Sequence, residues 1–138
     1  MTIAAELGQV SRFGSARELM GYCGAVPSGD SSGKRIRRGG ITKTGNAHLR
    51  RIVGEAAWSY RRPPCIWYGL RRRQESISEE AKEIARKAQH RLHKRYMKLG
   101  AAGKHQGKIV TAVARELLGF IWAIGIRAEA IASQQAAV

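Results

Sequence analysis

Apolar residues recur at three- and four-residue intervals along most of this chain, which is the spacing that places side chains on one face of an α-helix. One such stripe consists of Leu49, Ile52, Val53, Ala56, Ala57 and Tyr60. A second stripe follows Ser78, and a third, the most apolar, extends from about Lys108 to Ile131. No convincing strand alternation is present. The spacing predicts a mainly α, compact domain of about four to five helices, occupying 1–138 as a single unit.

Local signals predict where the helices begin and end. Ser15, with Glu18 three residues later, has the spacing of a capping box, and Ser78 precedes a run of glutamates that favours a helix N-terminus. Tandem prolines from Pro63 end the helix that begins near Asn46. The alanine- and glutamine-rich residues at 133–138 are expected to fray.

Two segments interrupt the helical pattern and are rich in basic residues. The segment 26–45 combines glycines, serines and five Lys or Arg, and predicts a long glycine-rich basic loop between the second and third helices. Loops of that length are usually functional or disordered. A second basic loop is expected from Cys65 to Gln74. Two roles are open for its Trp67 and Tyr68. They stack on unpaired bases, or, as is more common for such aromatics, they pack beneath the loop.

The charge of the chain is strongly one-sided, with 25 Lys and Arg against 10 Asp and Glu and a formal net charge of +15. Self-repulsion of that size disfavours a compact state, so a polyanionic partner is expected, and nucleic acid fits better than a membrane surface or an acidic protein. Arginine pairs with phosphate in a bidentate fork. The predicted nucleic-acid-binding residues are Lys34, Arg35, Arg37, Arg38, Lys43, Arg50, Arg51, Arg61, Arg62, Arg71, Arg72 and Arg73.

Other classes of site find little support in the sequence. Cys23 and Cys65 are far apart, which argues against a zinc finger or a disulfide framework and indicates a reducing compartment. The run Leu117–Ile126 is about half of the roughly 20 residues that a membrane span requires, so we expect a core helix and no membrane partner. His90 and His93 share a helix face without a third ligand, so we expect no metal or other cofactor in this chain. We assign two of the tryptophans, Trp58 and Trp122, to packing. The expected location is the bacterial cytoplasm, in association with the nucleoid.

The pair Ser31-Ser32 is the candidate nucleophile. A serine hydroxyl in a glycine loop can attack a phosphodiester when nearby cations, here starting with Lys34 and Arg35, stabilise the charge on phosphorus. From spacing alone, the ordinary interpretation of Ser-Ser-Gly is turn chemistry.

Several segments, taken together and in order, carry a resemblance to one family. They are Ala5-Glu6-Leu7-Gly8 with Ser11-Arg12-Phe13, Leu19-Met20-Gly21-Tyr22, Gly24-Ala25-Val26-Pro27-Ser28, Ser31-Ser32-Gly33-Lys34, the stretch from Arg38 to Asn46, His48-Leu49-Arg50-Arg51, Glu55-Ala56-Ala57-Trp58, Arg71-Arg72-Arg73-Gln74-Glu75 and Ala114-Arg115-Glu116-Leu117. On these segments the chain resembles the C-terminal domain of IS110-type insertion-sequence transposases, over nearly its whole length.

The resemblance implies a set of properties that the residues alone do not. In that family an N-terminal RuvC-like domain holds magnesium on carboxylates, and the C-terminal domain supplies a serine that links covalently to DNA. A structured guide RNA brings the DNA partners together, and the active assembly is a multimer. The position that matches the family's nucleophile is Ser32, with Ser31 as the competing choice. Asp30 departs from the family, which commonly has an aromatic residue there.

The resemblance therefore predicts DNA transposition by part of a recombinase that lacks its RuvC-like domain here. Such a fragment is expected to bind DNA, and guide RNA, without recombining it alone, and to assemble with the full-length transposase as a homo-oligomer. Two alternatives stay open at this point. The chain is a non-catalytic basic helical nucleic-acid-binding module or truncated remnant, or it is a structural dimer domain whose last helix pairs with a second copy.

Overall fold

The computed structural model describes residues 3–25, 27–32, 35–41, 45–65 and 68–137, and for the two strands it describes the backbone alone. The described residues form a mainly α domain, as predicted. In chain order the elements are α1 (Ile3–Leu7), α2 (Ala16–Tyr22), β1 (Pro27–Ser32), β2 (Arg35–Ile41), α3 (Ala47–Trp58), α4 (Tyr68–Arg73), α5 (Glu79–Ala101) and α6 (Gln106–Ala136), with 3₁₀ turns at Val10–Arg12, Ser59–Arg61 and Gln74–Ser76.

The core lies where α6 packs against α5, α3 and α2. The apolar stripes seen in the sequence face one another there, because burying them together removes the most hydrocarbon from water. The core includes Leu19, Leu49, Val53, Leu92, Val113 and Leu118, each 1% exposed or less.

Three of the described helices begin at serine or asparagine caps, and α6 begins at His105, whose Nδ1 accepts from the Gly107 N–H at 3.2 Å. Ser15, Asn46 and Ser78 each accept a hydrogen bond from the backbone N–H three residues later, at 3.3, 2.9 and 3.3 Å respectively. Each cap satisfies one of the N–H groups that a helix start leaves without a partner. The predicted starts near Asn46 and Ser78, and the cap at Ser15, are therefore confirmed.

The backbone within the segment 26–45 differs from the expected loop. Strands β1 and β2 pair antiparallel, with Ser32 opposite Arg35 and Asp30 opposite Arg37, and with an irregularity near Gly29. The strand sequences PSGDSS and RIRRGGI lack apolar alternation, but the pairing uses backbone groups that any residue carries. The remaining positions of the segment, at 26, 33, 34 and 42–44, lie outside the described residues.

The expected second basic loop, Cys65 to Gln74, is also corrected by the structure. Its second half is the short helix α4, whose leucine and three arginines are good helix formers. The expectation of a loop gave too much weight to charge and to Gly69. Trp67 lies outside the described residues.

The two longest helices are α5 and α6, and α6 exceeds its predicted bounds. The helix α5 continues through Gly100 to Ala101 and ends before Gly103, whose φ of +76° suits a helix C-terminus. The helix α6 starts two residues before the predicted Lys108 and extends to Ala136, into the segment where fraying was expected.

Among the described helices, α6 is long and apolar enough to cross a membrane by length and composition alone. The core helix of a globular protein passes the same test. Here Ile109, Val113, Ala114, Leu117 and Leu118 are buried against the rest of the domain, and 28% of the apolar window is buried.

The 3₁₀ turn Val10–Arg12 is attached to α6 by one carboxylate. Glu129 accepts hydrogen bonds from the backbone N–H groups of Val10 and Ser11, the latter at 2.9 Å. The hydrogen bonds from Ser11 and then from Val10 lower the pKa of Glu129. This contact joins the N-terminal part of the chain to its last helix.

The two cysteines differ in environment, which gives a simple test of the fold. Cys23 is fully buried, and burial raises the pKa of its thiol to about 11, whereas Cys65 is exposed. Because the thiolate is the reactive form, Cys23 stays protonated and unreactive at pH 8. We expect iodoacetamide to label one cysteine in the native chain and both in guanidinium, as measured by intact mass. Double labelling of the native chain would show that Cys23 is not enclosed.

Candidate nucleic-acid interface

The carboxyl end of α3 presents an aromatic ring and two arginines to solvent. Trp58 is 41% exposed, and the guanidinium of Arg61 lies 4.8 Å from the centre of its ring. This cation–π contact holds the arginine beside the ring, and Arg62 next to it is also exposed. Trp58 was expected to pack in the interior, so this assignment is wrong. A tryptophan at a helix end, followed at the third and fourth positions by two arginines, was the signal that pointed to the surface.

The short helix α4 adds three more cations on a separate element. Arg71, Arg72 and Arg73 are all exposed, and Tyr68 at the start of the helix is 80% exposed. Consecutive residues on a helix point in different directions, so the three arginines surround α4 rather than forming one stripe. Tyr68 does not pack beneath a loop, which was the commoner of its two expected roles.

The residues that flank the β1–β2 pair, Ala25 before it and Asn46 after it, are hydrogen-bonded to α2. The backbone N–H of Asn46 donates to the carbonyl of Tyr22 at 2.9 Å, and the N–H of Ala25 donates to the carbonyl of Met20 at 2.9 Å. These two bonds lie on either side of the strand pair in sequence. They therefore fix the points at which the chain leaves the helical core and returns to it.

Side-chain contacts also hold Asn46 in place after the strand pair. The amide of Asn46 donates to a carboxylate oxygen of Glu6 at 3.2 Å and to the Tyr22 hydroxyl at 3.5 Å. The hydrogen bond from Asn46 and then the one from Arg12 lower the pKa of the Tyr22 phenol. The guanidinium of Arg12 also lies over the rings of Phe13 and Tyr22, at 4.7 and 4.9 Å from their centres.

The register of the strand pair distinguishes the two candidate serines. Ser32 is the cross-strand partner of Arg35, whereas Ser31 is the partner of Ile36. Residues that oppose each other across two strands share a face, and alternate residues of one strand share a face as well. Ser32 therefore shares a face with Arg35, Arg37 and Asp30, whereas Ser31 shares the other face with Ile36 and Arg38.

The structure places the other predicted binding residues as follows. Arg51 is exposed on α3, whereas Arg50 is partly buried and donates to the carbonyl of Cys23 at 3.2 Å. Arg50 thus supports the packing of α3 on α2. Lys34 and Lys43 lie outside the described residues, and Arg35, Arg37 and Arg38 are described as positions on β2.

The described residues contain no group of three or more His, Cys, Asp or Glu that could hold a metal ion. The Nδ1 atom of His93 instead lies 2.9 Å from the carbonyl oxygen of Tyr60, which is hydrogen-bond distance. Magnesium, which the family resemblance assigns to a RuvC-like domain, therefore does not fit the described part of this chain.

Comparisons with known proteins find a family and a relative similar to this chain. Residues 1–66 match the family described as Transposase IS116/IS110/IS902. The protein y4qE of Sinorhizobium fredii (strain NBRC 101917 / NGR234), whose name places it among transposases, is 50% identical over 124 residues. That alignment covers 90% of this chain and 32% of the relative, so the chain spans about a third of the relative's length. No solved structure matches the chain. The chain is thus similar to an IS110-type transposase domain over most of its length.

Proposed function

We propose that this domain holds DNA through the exposed arginines of α3, α4 and the turn after α3, together with the arginines of the strand pair, and that Ser32 is the nucleophile in strand transfer. Similarity to a transposase family supports DNA as the substrate. The observation that carries the choice of serine is the register, because Ser32 is opposite Arg35 and its face carries two arginines, whereas Ser31 is opposite Ile36 and its face carries one, Arg38. Cations on that face would stabilise the extra negative charge on a five-coordinate phosphorus.

The chemical step has a definite balance of bonds. The Ser32 hydroxyl oxygen bonds to phosphorus while the bond from phosphorus to a deoxyribose oxygen breaks. The serine proton leaves to a base, and the released deoxyribose oxygen takes up a proton. The product is a phosphoserine ester joined to one DNA end. Its energy resembles that of the phosphodiester it replaces, so a second DNA hydroxyl can reverse the attack and reseal the strand.

The proposal extends to the partners of the domain. A RuvC-like domain would supply magnesium and the acid–base groups, and a structured guide RNA would align the DNA partners within a homo-oligomer. Alone, this chain would bind polynucleotides without joining them. Binding would weaken steeply with salt, because each phosphate neutralised by Lys or Arg releases counterions.

The test is whether a covalent adduct forms between this chain and DNA. The chain is mixed with a separately expressed RuvC-like domain of a relative, guide RNA and end-labelled DNA, and adducts are separated on a denaturing gel. We expect Ser32→Ala to abolish the adduct, a loss of at least about a hundredfold as for a removed nucleophile. Ser31→Ala is the matched control and should keep it. An adduct that persists in Ser32→Ala, or disappears only in Ser31→Ala, contradicts the assignment.

A further inference from the structure

The helix α5 carries a basic surface that lies outside the residues expected to bind nucleic acid. Lys87, Arg91, Lys94 and Lys98 recur at spacings of four, three and four residues, so they form one stripe along the helix. All four are exposed. The apolar face of α5, which includes the buried Leu92, points into the core.

A groove follows this stripe where α5 meets α6. We define the α5 groove by its lining residues, Arg86, Lys87, His90, Arg91, Lys94 and Phe120; its volume is about 500 Å³. A second depression of about 370 Å³ shares Arg91 and Phe120 and is otherwise lined by Met20, Glu116, Gly119 and Ala123. The two depressions adjoin, with cationic side chains along α5 and a mostly apolar floor on α6 and α2, in which Glu116 is the one carboxylate of the two linings.

One carboxylate fixes two of the cations in place. The oxygens of Glu116 on α6 accept ion-pair contacts from Nε of Arg91 at 2.9 Å and from Nε of Arg95 at 2.8 Å. The guanidinium groups are more than 40% exposed, so these pairs contribute little to stability. Their effect is geometric, because a contact through Nε leaves the outer Nη groups of both arginines available to a phosphate.

The surface keeps a net positive charge after its internal ion pairs are counted. Glu83 faces Arg86 and Lys87, and Glu116 faces Arg91 and Arg95. Within the described part of the chain, Lys94 and Lys98 have no carboxylate within ion-pair distance. Two carboxylates thus oppose six Lys or Arg, which gives the surface the charge that a polyanion requires.

The floor of the groove indicates which form of polyanion fits. In a duplex the bases are stacked inside, and only phosphates and groove edges reach a protein surface. An unpaired strand instead places bases on aromatic rings while its phosphates follow a positively charged groove. Phe120 is partly exposed between the cations of α5 and the apolar floor, where a base could contact it. We propose that the α5 groove binds an unpaired segment of a DNA strand.

This inference rests on the proposed DNA substrate but not on Ser32 or on α4. The test measures fluorescence anisotropy of a labelled 20-nucleotide oligo(dT) and of a 20-base-pair duplex, each titrated with the chain over a range of salt. The double variant Lys87→Gln/Lys94→Gln should bind oligo(dT) roughly tenfold more weakly. It should also reduce the slope of log K against log salt by about 1.4, which is two contacts at ~0.7 each. Phe120→Leu, which keeps an apolar side chain, should weaken oligo(dT) binding roughly tenfold without changing that slope.

Two further variants of the chain show whether the loss of binding is specific to the α5 groove. Lys104→Gln/Lys108→Gln removes the same charge from exposed positions outside the groove and should bind oligo(dT) nearly as the parent does. Arg71→Gln/Arg72→Gln/Arg73→Gln should weaken duplex binding while leaving the groove contribution to oligo(dT) intact, which separates the two proposals. Equal losses in the two lysine pairs, or oligo(dT) affinity unchanged by Phe120→Leu, would overturn the inference. So would preferential binding of an acidic peptide, or of oligo(U) with no binding of oligo(dT).

Discussion

Gly45→Ala is expected to be among the most damaging single-methyl changes in this chain. The backbone at Gly45 has φ = +90°, and a Cβ there would lie 2.0 Å from the carbonyl oxygen of Tyr22. That oxygen accepts the hydrogen bond from Asn46 that anchors the strand pair, so relieving the clash breaks the bond and displaces the α3 cap. Strain, hydrogen bond and cap together predict a loss of about 4 kcal/mol in the free energy of unfolding.

Thermal and urea unfolding would measure this loss, with Gly103→Ala as the matched control. Gly103 also has positive φ, +76°, but a Cβ there meets nothing within 4 Å. It should lose only the backbone strain, about 1 kcal/mol. Since the strand pair carries both candidate serines, Gly45→Ala should also impair adduct formation at temperatures where the variant is still folded. Equal losses for the two glycines would mean that the Gly45–Tyr22 contact is not made.

Gly125→Ala is expected to destabilise the chain although alanine is the better helix former. A Cβ at Gly125 would lie 2.7 to 3.0 Å from three side-chain atoms of Val10. Val10 is branched and 8% exposed, so it cannot swing away without moving its 3₁₀ turn and weakening the contacts with Glu129. The overpacking cost of about 3 kcal/mol exceeds the helix gain of about 1 kcal/mol, which leaves a net loss of about 2 kcal/mol.

Gly119→Ala in the same helix is the control for this substitution. A Cβ at Gly119 would lie 3.4 Å from Met20 Cε, the flexible end of an unbranched side chain. We expect this variant to be more stable than the parent by about 0.5 to 1 kcal/mol, because it gains helix propensity without a clash. The two alanine variants should therefore shift the urea midpoint in opposite directions. A stabilising Gly125→Ala would show that the Val10 turn does not pack on α6 as described.

The helical parts of the fold were predictable because their signals are local. Caps at Ser15, Asn46 and Ser78 depend on a residue and its third neighbour, and an apolar stripe depends on residues a turn apart. The strand pair was missed because its pairing is not accompanied by an alternating apolar pattern. The short helix α4 was missed because its local propensity was outweighed by an emphasis on charge.

The candidate site shows the same division between local and long-range information. The sequence pointed to Ser31 and Ser32 together, and a choice between them on physical grounds needed the strand partner of each. The role of Arg50 in packing against Cys23, and the exposure of Trp58, depend on residues distant in the chain. The role of Arg50 could not be derived from the residue types alone.

Composition and periodicity by themselves determined that the chain is helical, strongly cationic and suited to a polyanionic partner, since charge and apolar spacing are properties of the residues. Which cations lie side by side was decided only by the tertiary structure. Arg91 and Arg95 are oriented by Glu116, and Phe120 forms the floor beside them, because α5 packs along α6. Packing brings together residues some 25 positions apart, and such a juxtaposition is not contained in any local pattern.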